Sequence, residues 1–183
     1  MRLIPLFFIS IAAILLSCEP EKSPEEVNAF NKEKVKIQFV TANQKIVVKE
    51  NDEMDYYQKS HKMQFIRTTS GIRYFVYAPS NKGDSITDDD VIKINFKVSL
   101  LDGTECYSSK VGEPKEFMVG MENVEDGLHK AVVFLKSGDK ALIMIPSHLA
   151  HGLLGDQNKI PPQSPILYDI EIVSVQKNSK GIK

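Results

Sequence analysis

The chain has 183 residues, 42% of them apolar and 26% charged, with 23 Lys+Arg against 24 Asp+Glu for a formal net charge of -1. That composition belongs to a globular domain with attachments; it excludes a disordered or collagen-like chain and gives no electrostatic ground for a nucleic-acid partner. Two cysteines exclude a disulfide scaffold of the small secreted type.

In chain order, the first element is a leader. Residues 1–17, MRLIPLFFISIAAILLS, hold 13 apolar side chains, Arg2 as the only charge, and Pro5. A helix needs about 20 apolar residues to cross ~30 Å of hydrocarbon, so a signal peptide is expected rather than a membrane span. The run closes on LLSC, which resembles a bacterial lipobox. The resemblance implies lipid modification of Cys18 and a chain anchored by lipid to a membrane of the cell envelope. Immediately after Cys18 comes EPEKSPEEVN, acidic and poor in apolar side chains, and residues 18–34 are expected to form a flexible tether.

Residues 35–69 form the next segment. Ile37, Val40, Val47, Met54 and Tyr57 recur near helical spacing and predict an accessory helix or helices, suited to packing or self-association. The β-branched run Ile46-Val47-Val48 competes as strand, and Asn51-Asp52 as a break or cap. His61, between lysines, reads as a surface residue.

From Gln64 the pattern changes to strands and turns: QFIRT, a Thr-Ser-Gly turn, IRYFVYA, the polar NKGDSITDDD, then VIKINFKVSLL closed by Asp102-Gly103. Asp84, Asp88, Asp89 and Asp90 lack the ligand spacing of a calcium loop and read as a solvated turn. In NVEDGLHKAVVFL, the residues Val124, Leu128, Ala131 and Val132 make one apolar stripe, which predicts a helix lying on a sheet. Residues 70–176 are therefore expected to form one α+β domain, an antiparallel sheet with a single helix, followed by a tail at 177–183. His129 and His148 read as surface residues. The His148/His151 pair has no evident third partner, so no metal site is expected.

The end of the domain carries a family resemblance. KALIMIPSHLAHGLLGDQNKIPPQSPILYDIEIVSV resembles the C-terminal half of FKBP-type peptidyl-prolyl isomerases through Ile145-Pro146, Gly152, Gly155, Ile160-Pro161-Pro162 and the strand Leu167–Val175. Upstream, INFKVSLLDGTECYSSK and FMVGMENVEDGLHKAV resemble the family's earlier strands and its sheet-to-helix segment. The resemblance implies an FKBP-like antiparallel sheet wrapped around one short helix, here with an N-terminal helical extension. It also implies isomerase activity on proline-containing polypeptides with no cofactor. Taken with the lipobox and the extension, the chain is similar to the gliding-motility-associated FKBP-like lipoproteins, which implies an envelope or motility complex as partner.

The chemistry such a pocket performs needs no nucleophile. The X-Pro amide rotates over a barrier of ~18–20 kcal/mol, and a dry apolar pocket favours the less polar, twisted amide. Apolar walls and one or two donors suffice. By the resemblance, Phe96, Tyr107, His151 and Tyr168 stand at catalytic positions, and Cys106, Phe117, Val124, Glu125, Leu128 and Ile160 at substrate-binding ones. Several depart from the family. Phe96 stands for a Tyr, Cys106-Tyr107 for Phe-Asp, Lys115 for a Phe, Leu128 for the Trp of the floor, and Tyr168 for a Phe. Glu125 stands for an Ile whose backbone N–H binds a carbonyl, and His151 for a Tyr that donates a hydroxyl. Reduced activity and weak macrolide binding are the expected consequences. Cys106 reads as a buried thiol rather than a redox centre. Two further readings stand beside the isomerase: a non-catalytic module that binds a proline-containing segment, and a structural part of a motility or secretion complex.

Overall fold

The computed structural model describes residues 24–121 and 124–178. Cys18 and the leader lie outside the described residues. The chain divides into two compact units, Met1–Val40 and Thr41–Lys183.

The first element is one continuous helix, α1 (Pro24–Ser60). No Gly or Pro follows Pro24 within it, and proline suits the first helical turn, where its missing N–H has no helical partner to lose. Residues 24–34, expected as flexible tether, are therefore helical, and Ile46-Val47-Val48 is helix rather than strand. β-branched residues cost a helix only a few tenths of a kcal/mol each, about 0.5 or less, which does not outweigh the burial available further along. Asn51 does not break the helix; its Nδ2 donates to the Val47 carbonyl one turn back at 2.9 Å. α1 ends where Lys62 takes φ 54, with Met63 N–H bonded to Gln58 O and Lys62 N–H to Lys59 O, a Schellman-type stop.

Within the first unit, Val35, Ile37, Phe39 and Val40 are all exposed. Within the second, the last turns of α1 have a buried side. Met54 is 1% exposed and packs with Met144 and Leu167, flanked by Tyr57, Phe65, Leu101 and Leu142.

The sheet is antiparallel throughout: β1 (Ile66–Arg67), β2 (Arg73–Ala78), β3 (Val91–Leu100), β4 (Glu105–Ser108), β5 (Lys115–Met118), β6 (Lys140–Ile145) and β7 (Ile166–Gln176), in the order β1-β2-β6-β7-β3-β4, with β5 also on β3. Its first strand, Ile66–Arg67, falls within the QFIRT segment read as strand and pairs with Tyr74 and Arg73. β3 is bulged at Lys93/Ile94 against β7 and at Val98/Ser99 against β4. Its free edge serves β5 at Val91–Ile94 and β4 at Lys97–Ser99.

One face carries α2 (Asp126–Val132), shorter than the predicted stretch, with Leu128, Ala131 and Val132 buried against Ile92, Ile94, Val98, Ile143, Ile145, Ile170 and Ile172. Val124 precedes the helix rather than opening its stripe.

The acidic loop before β3 is not simply a solvated turn. Asp90 is 2% exposed and accepts from Thr87 N–H and Oγ1 at 2.8 Å each, from Lys177 Nζ at 2.8 Å and from Asn178 N–H. Burial alone would raise its carboxyl. The bonds from Lys177, Thr87 and Asn178 outweigh it and hold the group at about 2, below the ordinary 3.8. A carboxylate whose folded value is depressed stabilises the fold fully above its unfolded value and loses that contribution as pH falls through the folded one. Melting temperature should therefore drop between about pH 4 and pH 2, and Asp90→Asn should flatten that slope in a circular-dichroism series. An unchanged slope would remove Asp90 as its source.

Candidate active site

The register of the sheet assembles the site. Val98 on β3 faces Tyr168 on β7 and Tyr107 on β4, so the two tyrosines flank one strand. Phe96, two residues back, brings its ring within 5.9 Å of Tyr168 at a 47° tilt. α2 and its approach supply Val124, Glu125 and Leu128. The long loop after β6 supplies His151 and Ile160.

The apolar bed is closely packed: Cys106, Phe117 and Leu128 are each 1% exposed, Ile160 2% and Tyr168 4%, while Phe96, Tyr107 and Val124 are half-buried against the same core. Leu128, which stands where the family has the Trp of the floor, is thus enclosed by its neighbours. The Cys106 thiol is pushed up by burial, and secondarily by the charge of Asp156. It is a protonated, inert sulfur with weak contacts to the carbonyls of Thr104 and Lys159.

Two carboxylates organise the polar part. Glu125, expected to contribute a backbone donor, presents its side chain: one oxygen accepts from the Tyr168 hydroxyl at 2.8 Å, and the other lies 3.2 Å from His151 Nε2. That imidazole nitrogen is buried and lacks the alignment of a hydrogen bond to Glu125. Burial first, then the charge of Glu125 and its bond to the phenol, raise the Tyr168 hydroxyl, so Tyr168 is a fixed donor. Glu125 O also receives the first helical bonds of α2, from Leu128 N–H at 2.8 Å and His129 N–H at 3.3 Å.

Asp156 is the second carboxylate. It accepts the Tyr107 hydroxyl, Asn158 N–H at 2.9 Å and Ile160 N–H at 2.8 Å. Burial opposes ionisation, but these three bonds, followed by the charge of His151, hold it at about 2. The Tyr107 hydroxyl is raised chiefly by that bond to Asp156. Tyr107, expected at a catalytic position, is therefore committed to shaping the loop. Lys159 completes the clasp: its Nζ donates to Cys106 O at 2.7 Å and sits 5.3 Å from the centre of the Tyr107 ring. Gly155 permits the tight return, because at φ +66 a Cβ there would lie 2.1 Å from Ile160 O.

Asp156 and Lys159 are not among the residues expected in the site. The signal available was Asp156 followed two residues later by Asn158, in a loop opened by Gly155, an Asx-turn pattern. His129 is also not a plain surface residue: its Nδ1 accepts from Gly120 N–H at 2.9 Å and its ring meets Phe117 edge-on at 5.6 Å. His148 is exposed.

Among the described residues, this geometry has no activated nucleophile at its centre. It offers an apolar floor, tyrosine and phenylalanine walls, and an imidazole at the rim. Residues 83–173 match the family of FKBP-type peptidyl-prolyl cis-trans isomerases. The chain carries an FKBP-type domain.

Among relatives, FkpA of Escherichia coli K12, an FKBP-type peptidyl-prolyl cis-trans isomerase, is 31% identical over 128 residues, which cover 69% of this chain and 46% of that protein. The macrophage infectivity potentiator of Trypanosoma cruzi is 30% identical over 125 residues, covering 68% and 63%. The chain thus spans about half to under two thirds of these relatives. The crystal structure of E. coli FkpA superposes with a TM-score of 0.60 at 27% identity, over 85% of this chain and 74% of that one. The FKBP-type fold, an antiparallel sheet with an N-terminal helix before it, agrees with the α+β architecture expected from the strand and helix patterns.

Proposed function

We propose that the chain is a peptidyl-prolyl cis-trans isomerase of the FKBP type, acting on proline-containing polypeptides of a bacterial cell envelope, to which a lipid on Cys18 anchors it. The observation that carries the reading is the assembly of Leu128, Ile160, Phe96 and Tyr168 as apolar walls beneath the His151 imidazole. A proline ring entering those walls leaves water, and its amide loses the hydration that stabilises the planar form. The twisted amide concentrates electron density differently, and a donor at the rim favours it.

In this mechanism Tyr168 orients Glu125, the Glu125 carboxylate lies 3.2 Å from His151 Nε2 and keeps the imidazole beside the apolar walls, and a ring N–H of His151 donates to a substrate carbonyl. Activity is lower than in a pocket with an aromatic floor, because Leu128 offers a smaller face to the ring than Trp would.

A second reading, a non-catalytic module that holds a proline-containing segment for an envelope or gliding-motility complex, is favoured by one feature. The Glu125 carboxylate stands between Tyr168 and His151 where the family resemblance places an isoleucine, and a polar group there has to be displaced or accommodated by each client. The deciding experiment is exchange of an X-Pro peptide followed by NMR with purified protein, in several flanking contexts. Acceleration above the uncatalysed rate supports the isomerase; saturable binding without acceleration supports the module and overturns the first reading.

The anchor has its own test. Cys18→Ala should move the protein from the membrane to the soluble fraction after cell lysis, and retention on the membrane would defeat the lipid assignment.

A further inference from the structure

α1 carries an unusual group. Glu50 lies among exposed neighbours, Val47, Val48 and Lys49, yet is itself 1% exposed. A carboxylate removed from water is costly unless its oxygens are bonded. Here both oxygens meet one residue: Ser147 N–H donates to Oε2 at 2.9 Å, and Ser147 Oγ donates to Oε1.

Ser147 is not a passive partner. It opens the short turn Ser147–Leu149 after β6, and its own carbonyl accepts from Ala150 N–H at 2.9 Å and Gly152 N–H at 2.7 Å. Those two amides bracket His151. Gly152 O in turn accepts from Gln163 N–H at 3.0 Å, closing the base of the loop that carries Ile160. From Glu50, therefore, a chain of hydrogen bonds runs through one serine to both neighbours of the rim imidazole.

We infer that Glu50 is a positioning residue for the site: by fixing Ser147 it sets the 147–152 turn and so the place of His151 over the pocket, which makes the end of α1 part of the active-site scaffold. The inference rests on the reading of His151 as the site's donor. It predicts that loss of Glu50 acts on the pocket and not only on the docking of the helix.

The control is already in the structure. One turn along α1, Asp55 accepts from Arg73 Nη1 at 2.5 Å, and Arg73 is fully buried with its Nη2 on Asn51 O at 3.1 Å. Asp55→Ala loosens the same helix without touching Ser147.

The experiment uses the full chain with Glu50→Ala, Glu50→Gln and Asp55→Ala, and follows the His151 ring signals by NMR, amide exchange at Gly152, and kcat/KM on an X-Pro peptide. Glu50→Ala should shift the His151 signals, speed Gly152 exchange about tenfold and lower kcat/KM about fivefold. Glu50→Gln, which can still accept from Ser147 N–H and donate to Oγ, should return each readout to within about twofold of the parent. Asp55→Ala should leave the His151 signals in place. Unchanged His151 and Gly152 signals in Glu50→Ala, or equal changes in Asp55→Ala, would overturn the inference. The NMR readouts need no turnover, so they stand apart from failure of the isomerase reading, which the peptide assay on the parent protein detects.

Discussion

Gly127→Ala is expected to destabilise the chain by about 2 kcal/mol, although alanine is the better helix former. Gly127 is the second residue of α2 and is buried where that helix meets β6. A Cβ built there would lie 2.2 Å from Ile145 Cγ2, 3.3 Å from Ile145 Cβ and 2.9 Å from Leu149 O. Ile145 is itself fully buried and cannot swing away, and a backbone carbonyl cannot yield at all without moving the turn. Overpacking of this kind costs up to about 3 kcal/mol, and the helix propensity gained from Gly to Ala returns about 1 kcal/mol. Urea unfolding should show the midpoint lowered with the slope unchanged. Equal or greater stability would mean that α2 rides further from β6 than described. The same push displaces Glu125 and Leu128, so activity should fall along with stability.

The second large effect concerns catalysis. His151→Ala should lower kcat/KM about tenfold, which is the ~1.4 kcal/mol of one neutral hydrogen bond made to the twisting amide. The side chain is 25% exposed and lies in a loop, so global stability should fall by about 1 kcal/mol or less. That separation is what distinguishes a rim donor from a structural residue. His151→Gln, which retains an N–H donor of comparable reach, should recover most of the loss. Identical kinetics in parent and alanine variant, measured on a peptide that the parent turns over, would remove His151 from the mechanism and leave the apolar walls alone to account for it.

Much of the fold was legible because its signals are local. Short alternating segments separated by turns predict strands, and the stripe Leu128, Ala131, Val132 predicts a helix on a sheet; both are found. The extent of α1 was not legible. Its stripe is weak, since Ile37, Val40 and Val47 are exposed, and only from Glu50 onward does burial support it. The acidic cluster divides in the same way: Asp84, Asp88 and Asp89 are exposed, while Asp90 is buried and bonded to Lys177, 87 residues away.

The candidate site divides along the same line. Pleated strands and an amphipathic helix dictate that residues such as Leu128 and Tyr168 turn inward, and the family resemblance implied that they line a pocket together with Phe96 and Ile160. It also placed a histidine in the loop above them. Only the tertiary structure decided what the polar groups do there. Tyr168 meets Glu125 across 43 residues, Tyr107 meets Asp156 across 49, and Glu50 meets Ser147 across 97. Apolar burial is non-directional and follows from pattern alone. A hydrogen bond demands one partner at one distance and angle, and which partner arrives is fixed by the register of distant strands.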